Sequence, residues 1–195
     1  MKGPCVGEAF ASFIMDLDQR QKWDIQIDNV YEAYPILDLD AANIAMGINK
    51  YGDCVRLGVG HCTTKSNLGI DAREQLTLCG INNFDDGSCL IWGTEMEEWH
   101  DHLFPPGHRS TRAKSHLFST TLVPTGPDSF DIEYVLQLEI GGKIPVWLTT
   151  PIIIDSVKRL FSCSKDFFLG KDGTLEQRLA DLSNRKDGYS LLMTP

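Results

Sequence analysis

Between Asp131 and Leu169 the hydrophobic period changes from two to 3.6 across a few glycines and one proline, and that change limits the folds open to the chain. Ile132, Tyr134, Leu136, Leu138 and Ile140 fall on one face, while Asp131, Glu133, Gln137 and Glu139 fall on the other. This is the pattern of a half-buried strand. Gly141–Gly142 ends it, and Pro145 prevents its resuming as a central strand. Thr150 is expected to cap a helix whose first position is Pro151, where a missing N–H costs nothing. Ile153, Val157, Leu160, Phe161 and Phe168 then recur at helical spacing, with Gly170 as the expected C-cap, which gives roughly five turns. A closing strand thus swings directly into an amphipathic helix, and the nearest surface for the helix's apolar stripe is the sheet it has just left.

The 195 residues read as one domain, with a core over 8–169 and an extension over 171–195. The formal charge of −9 argues against a nucleic-acid footprint, which needs clustered positive charge. It also disfavours general adsorption to anionic membranes, though a local basic patch could still dock. No run has the length and apolarity of a membrane span, and Glu8 and Asp16 follow the first residues too soon for a secretory signal. Six cysteines, Cys5, Cys54, Cys62, Cys79, Cys89 and Cys163, show no metal-finger or redox spacing. They read as reduced, packed thiols of a cytoplasmic chain.

In chain order, residues 8–22 read as one helix striped by Phe10, Phe13, Ile14 and Leu17, with Trp23 packing the junction to a strand over 25–34. Residues 38–52 carry no clear pattern, and 41–48 fits a short strand or a helical turn. A strand over 54–63 alternates through Val55, Leu57 and Val59, and its Gly58 and Gly60 point to a bulge or to close approach by another group. Residues 70–81 and 88–96 form a hairpin around Asp85-Asp86-Gly87. A crossing over 97–109 leads to a strand over 112–123, a turn over 124–128 and the closing strand. Beyond Gly170, Thr174 and Gln177 form a capping box for a short helix striped by Leu175, Leu179 and Leu182, and 188–195 is expected to fray.

Several of these segments resemble one family. Tyr134-Val135-Leu136-Gln137-Leu138-Glu139, followed by Gly141-Gly142-Lys143-Ile144-Pro145-Val146-Trp147-Leu148, is similar to the final strand and helix start of StAR-related lipid-transfer (START) domains. The run from Asp16 through Arg20 to Trp23-Asp24 resembles the family's helix end. Arg73-Glu74-Gln75-Leu76-Thr77-Leu78 resembles its "R-D-F-V-x-V" strand entry, with Glu for Asp. His102, Pro105-Pro106 and Arg112 resemble its crossing between two strands. The resemblance covers residues 8–169 and implies an α+β helix-grip fold, a curved antiparallel sheet wrapped around a long C-terminal helix. It implies a lipid or sterol held between them and no cofactor. A complete family member usually carries a further helix and three strands ahead of the helix that here begins at Glu8.

The resemblance also proposes contacts. Tyr134 falls where ceramide-transfer relatives place a head-group tyrosine, and Thr77 shares a face with Cys79. The family's cavity arginine and its acidic partner fall on Cys79 and near Gly58, so no charged pair is carried over. Trp92 and Glu95 lie on opposite faces of their strand, so at most one looks inward; plain core burial is the alternative for Trp92. Arg112, and Ile153 and Val157 of the helix stripe, complete the expected lipid-binding set together with Trp147. Trp147 lies in a gate formed by residues 63–70 and 143–150 and is expected either to touch a membrane transiently or to plug the cavity base. His100, Asp101, His102 and His108 have the residue types of a zinc site but loose spacing in a loop, so no metal is expected. No nucleophile stands in a mechanical context, so the chain is not expected to be an enzyme. Two rivals are a helix-grip cyclase or hydrolase and a cavity-less interaction domain, which would show a collapsed core.

Overall fold

The computed structural model describes residues 6–169 apart from 37, 47–51, 67–68, 107–109 and 128. The expected extension helix, the frayed end and His108 lie outside the described residues. The elements are α1 (Val6–Ile14), α2 (Leu17–Trp23), β1 (Ile27–Pro35), α3 (Leu39–Met46), β2 (Asp53–Thr64), β3 (Arg73–Asn83), β4 (Cys89–Glu95), a 3-10 turn (Glu98–Leu103), β5 (Thr111–Arg112), β6 (Lys114–Gly126), β7 (Ser129–Glu139) and α4 (Val146–Leu169). The sheet runs β1-β2-β3-β4-β6-β7, each neighbour antiparallel, with the short β5 pairing parallel to β3. This is the α+β helix-grip arrangement expected from the sequence.

The hairpin falls where the Asp-Asp-Gly turn put it. Gly87 takes φ 82°, and the Asp86 carboxylate accepts from the Ser88 backbone N–H at 2.8 Å. The unpatterned stretch resolves into α3.

Two helix boundaries differ from expectation. The single helix expected over 8–22 is two. The Asp16 side chain accepts from Gln19 N–H at 3.2 Å and so caps a new helix, α2, in the middle of the apolar stripe. The break lets Phe10, Phe13 and Ile14 sink into the core while Leu17 turns toward the hollow described below. The second difference is the start of α4, one turn earlier than the Thr150 cap predicted. Pro145 precedes the first turn, and its carbonyl accepts from Leu148 N–H at 2.9 Å. Pro151 is tolerated inside the helix, and the hydroxyls of Thr149 and Thr150 both turn back to the Val146 carbonyl, at 3.1 and 3.0 Å.

The core is concentrated at one end. Phe10, Phe13 and Trp23 from the first two helices pack with Ile81, Ile91 and Leu122 from the sheet and Phe168 from α4. Phe10 meets Phe168 edge-on at 5.2 Å, and Phe13 stacks on Trp23 at 5.2 Å, the junction role expected of Trp23. A smaller cluster of Val59, Leu76 and Phe104 lies elsewhere on the sheet. The C-terminal end of α4 is therefore clamped, with Ser164 wholly buried, while its N-terminal half spans a space that the core leaves unfilled.

Candidate functional site

That space is a cavity of about 520 Å³ between the sheet and α4. Ile152, Ile153, Val157 and Leu160 cover it from the helix. Thr77 and Cys79 of β3, Ile91 of β4, Phe118 and Thr120 of β6, and Tyr134, Leu136 and Leu138 of β7 form the opposite wall. Strand alternation explains this wall. Residues two apart share a face, so β3 and β7 each give a continuous inward row. The strands and the helix do not collapse onto one another, as the cavity-less rival required.

The polar equipment comes mainly from β1, β2 and α2. Arg56 stands 3.8 Å from Glu32, and both are only partly exposed, 30% and 35%. Gly58 makes room for this pair, because a Cβ there would collide with the Glu32 carboxylate. The close approach suggested by the glycines of β2 is therefore made by an acid. Arg20 pairs with buried Asp24 at 3.3 Å and lies over the Trp23 ring at 5.6 Å. His61 and Glu74, both buried, face each other at 3.7 Å, with His61 also meeting the rings of Tyr31 and Phe104 at 4.9 and 5.6 Å. The Tyr134 ring packs edge-on against Phe161 at 5.4 Å, and burial lifts its phenol above the ordinary value, opposed by Arg20. Burial likewise pushes the Cys62 thiol up to about 11 and the Cys79 thiol up to about 12, so both stay protonated at neutral pH.

Of the residues expected to contact a ligand, Tyr134, Thr77, Cys79, Ile153 and Val157 line the cavity. The other four do not. Trp92 lies against Gly80, whose added Cβ would come within 2.7 Å of the ring, and its Nε1 donates to Asn82 Oδ1 at 2.7 Å. Glu95 is held by His116, the extra residue of β6 between Ser115 and Leu117, at 2.7 Å. Trp92 is on the outer face of β4; Glu95 shares the face of Ile91 and Gly93, but Phe118 closes over Gly93 and the Glu95 carboxylate is drawn to His116, outside the cavity. Arg112 braces the crossing instead, donating to the Met96 carbonyl at 2.6 Å, pairing with Asp101 and covering the Phe104 ring at 5.1 Å. Trp147 is 75% exposed on the first turn of α4, so it does not plug the cavity. The Nδ1 of His102 lies 3.2 Å from the Trp99 carbonyl, to which it can only donate, and no metal-binding group of three or more His, Cys, Asp or Glu occurs among the described residues.

Sequence reasoning missed Glu32, Arg56, Arg20, Asp24 and His61. The pairing across β1 and β2 that brings Glu32 to Gly58 carries two register shifts, one of them between Glu32 and Tyr34. A cross-strand partner behind a bulge is not read from spacing. The glycines of β2 were the only available signal.

No family model and no curated protein matches the chain. Solved structures do. Human STARD10 superposes with a TM-score of 0.64 at 19% identity, over 86% of this chain and 62% of that one. Human StAR-related lipid transfer protein 5 gives 0.65 at 17% identity, over 84% and 70%. The fold is START-like. A STAR-related lipid transfer protein fragment from Xanthomonas axonopodis gives 0.62 at 13% identity, over 86% of this chain and 81% of that one. The chain spans less than two thirds of the STARD10 structure, and identities this low speak for the START-like fold alone. No helix among the described residues is long and apolar enough to cross a membrane.

Proposed function

We propose that this chain binds one lipid-like amphiphile, without covalent chemistry, in the cavity beneath α4, and transfers or senses it. The observation that carries the reading is the hollow itself: mainly apolar, about 520 Å³, with the Glu32–Arg56 pair at its lining. At about 30 Å³ per water-sized unit it holds on the order of twenty non-hydrogen atoms, which suits a single acyl chain or the ring system of a sterol rather than a bulky two-tailed lipid. Arg56 can donate a hydrogen bond to a ligand hydroxyl, Glu32 can accept one from it, and Tyr134 can do either from the far wall. The protonated thiols of Cys62 and Cys79 are poor nucleophiles, consistent with binding rather than catalysis.

Loading follows from the same geometry. Val146, Trp147 and Leu148 are exposed at the free end of α4, and Ile25 is exposed at the cavity edge, so a membrane surface can receive this end while the helix lifts. Native mass spectrometry of the purified protein is the first test. A single retained lipid is the expected result; absence of any retained lipid, together with no binding of a fluorescent sterol or fatty acid, overturns the reading. Trp147→Ala is expected to weaken partitioning onto phosphatidylcholine vesicles, and unchanged partitioning removes Trp147 from the contact.

A further inference from the structure

Arg73 is only 8% exposed, yet its guanidinium has no counter-ion among the described residues. It opens β3 on the face that lines the cavity, and its side chain reaches the joint between β7 and α4. Nε donates to the Ile140 carbonyl at 2.7 Å, and Nη1 donates to the carbonyls of Asp71 and Ala72 at 2.8 and 3.3 Å. All three partners are neutral. Asp71 is exposed and gives only its backbone, and Glu74, next in the strand, points to the opposite face, where it meets His61 at 3.7 Å. Nη2 makes no hydrogen bond among the described residues and lies beside Gly142, where an added Cβ would stand 3.6 Å from it. A buried guanidinium held by carbonyls alone is costly, and an anion at the same place offsets that cost.

Two neutral donors stand with it. Gln75 follows Arg73 on the same face of β3, and Ser115 of β6 lies opposite Leu138, two residues before Ile140. Both line the cavity, Ser115 is 3% exposed, and neither side chain has a hydrogen-bond partner among the described residues. One cation with two neutral donors suits a single negative charge spread over two oxygens, a carboxylate; a phosphate monoester brings nearly twice that charge. The Glu32–Arg56 pair lies at the other end. Arg56 and Thr64, whose hydroxyl accepts from the Arg73 backbone N–H at 3.1 Å, stand eight residues apart on β2, roughly 26 Å at about 3.3 Å per residue. A hollow that reaches both ends and holds on the order of twenty non-hydrogen atoms is filled by one extended chain, not by a compact ring system.

We infer that the ligand is a single-chain carboxylic acid bound as its anion, with the carboxylate on Arg73, Gln75 and Ser115 beside the Gly141–Gly142 joint and the chain running under α4 toward Glu32 and Arg56. This rests on the lipid-binding reading above and adds the head group and the direction in which the molecule lies. A hydroxyl near the far end of the chain meets the Glu32–Arg56 pair.

The test uses the full chain and three probes that share one tail: palmitate, hexadecanol and hexadecyl phosphate, each titrated by calorimetry. Palmitate is expected to bind about tenfold or more tightly than hexadecanol, the value of hydrogen bonds to a charged group. The double variant Ser115→Ala/Gln75→Leu leaves every tie of Arg73 in place, and in it this preference should fall severalfold. In Arg73→Met the preference should vanish. An arginine with a structural role alone would weaken both probes together and leave their ratio unchanged. Melting temperatures report whether each variant folds, and the double variant decides by itself where Arg73→Met does not. Three results overturn the inference while leaving a lipid site in place: equal binding of palmitate and hexadecanol by the wild type, a preference unchanged in the double variant, or tighter binding of hexadecyl phosphate than of palmitate. Failure of all the probes to bind overturns it together with the proposed function.

Discussion

In the proposed reading, ligand selection turns on Arg56 and Glu32, which stand together at the cavity. Their 3.8 Å separation is longer than a hydrogen bond, so each retains capacity for a third group between them. Because both are partly open to water, the pair itself adds little to folding. Arg56→Ala is therefore expected to cost a bound hydroxylated lipid about tenfold or more in affinity, the value of a lost hydrogen bond to a charged group, while the melting temperature stays nearly constant. Binding titration and calorimetry check the two halves separately. His116 offers a pH test. Hydrogen bonds donated to the carboxylates of Glu95 and then Glu139 raise its pKa above the ordinary histidine value. A raised folded-state pKa stabilises fully below the unfolded value and is lost as pH rises through the folded one. The stability difference between the wild type and His116→Ala is thus expected to be larger at pH 6 than at pH 9, as measured by thermal melts. At this scale the sequence spoke for Tyr134 and Thr77, whose inward direction follows from alternation. It was silent on Glu32 because a register shift separates that residue from any countable spacing.

Among the elements, α4 covers the cavity, and its two ends are held differently. Phe167 and Phe168 lock the C-terminal end against Phe13, with ring centroids 5.9 and 5.3 Å away. Further along, at mid-helix, Gln26 Nε2 donates to the Ser156 carbonyl at 3.0 Å. Lys65 backs this tie by donating from Nζ to the Ile25 carbonyl, also at 3.0 Å. Removing the tie with Gln26→Ala should speed release of a bound fluorescent lipid by roughly two- to tenfold, the worth of one net hydrogen bond, with little change in secondary structure. Stopped-flow displacement reads this directly. The amphipathic period of α4 was legible, and its first turn was not. Thr150-Pro151 has the form of a helix start, but the helix had already begun after Pro145, and a proline at its sixth position cost only the one hydrogen bond that an N–H there would have given to the preceding turn. The split of the first helix has a similar cause. Asp16 is a good N-cap inside a good apolar stripe, and the cap won.

For the whole molecule, an unfilled hollow inside a domain of this size is a stability deficit that a ligand can offset. A lipid present at a hundred times its dissociation constant should add about 2.7 kcal/mol, which for a chain of this length corresponds to a rise of roughly 5–10 °C in melting temperature. Differential scanning fluorimetry with and without a sterol or fatty acid checks it, and a ligand that leaves the transition unmoved is not the natural class. The fold at this level was readable because each strand announced itself by alternation and the hairpin by Asp85-Asp86-Gly87. The hollow could not be read that way, since alternation gives the inward row but not the distance to the helix that faces it.

The clamping of α4 at one end only makes it a cantilever. Its aromatic root can stay embedded while the free tip deflects, so admitting a greasy guest need not dissolve the packed end of the domain. The stiffness of that root, rather than any lock at the tip, would then decide how wide the doorway swings.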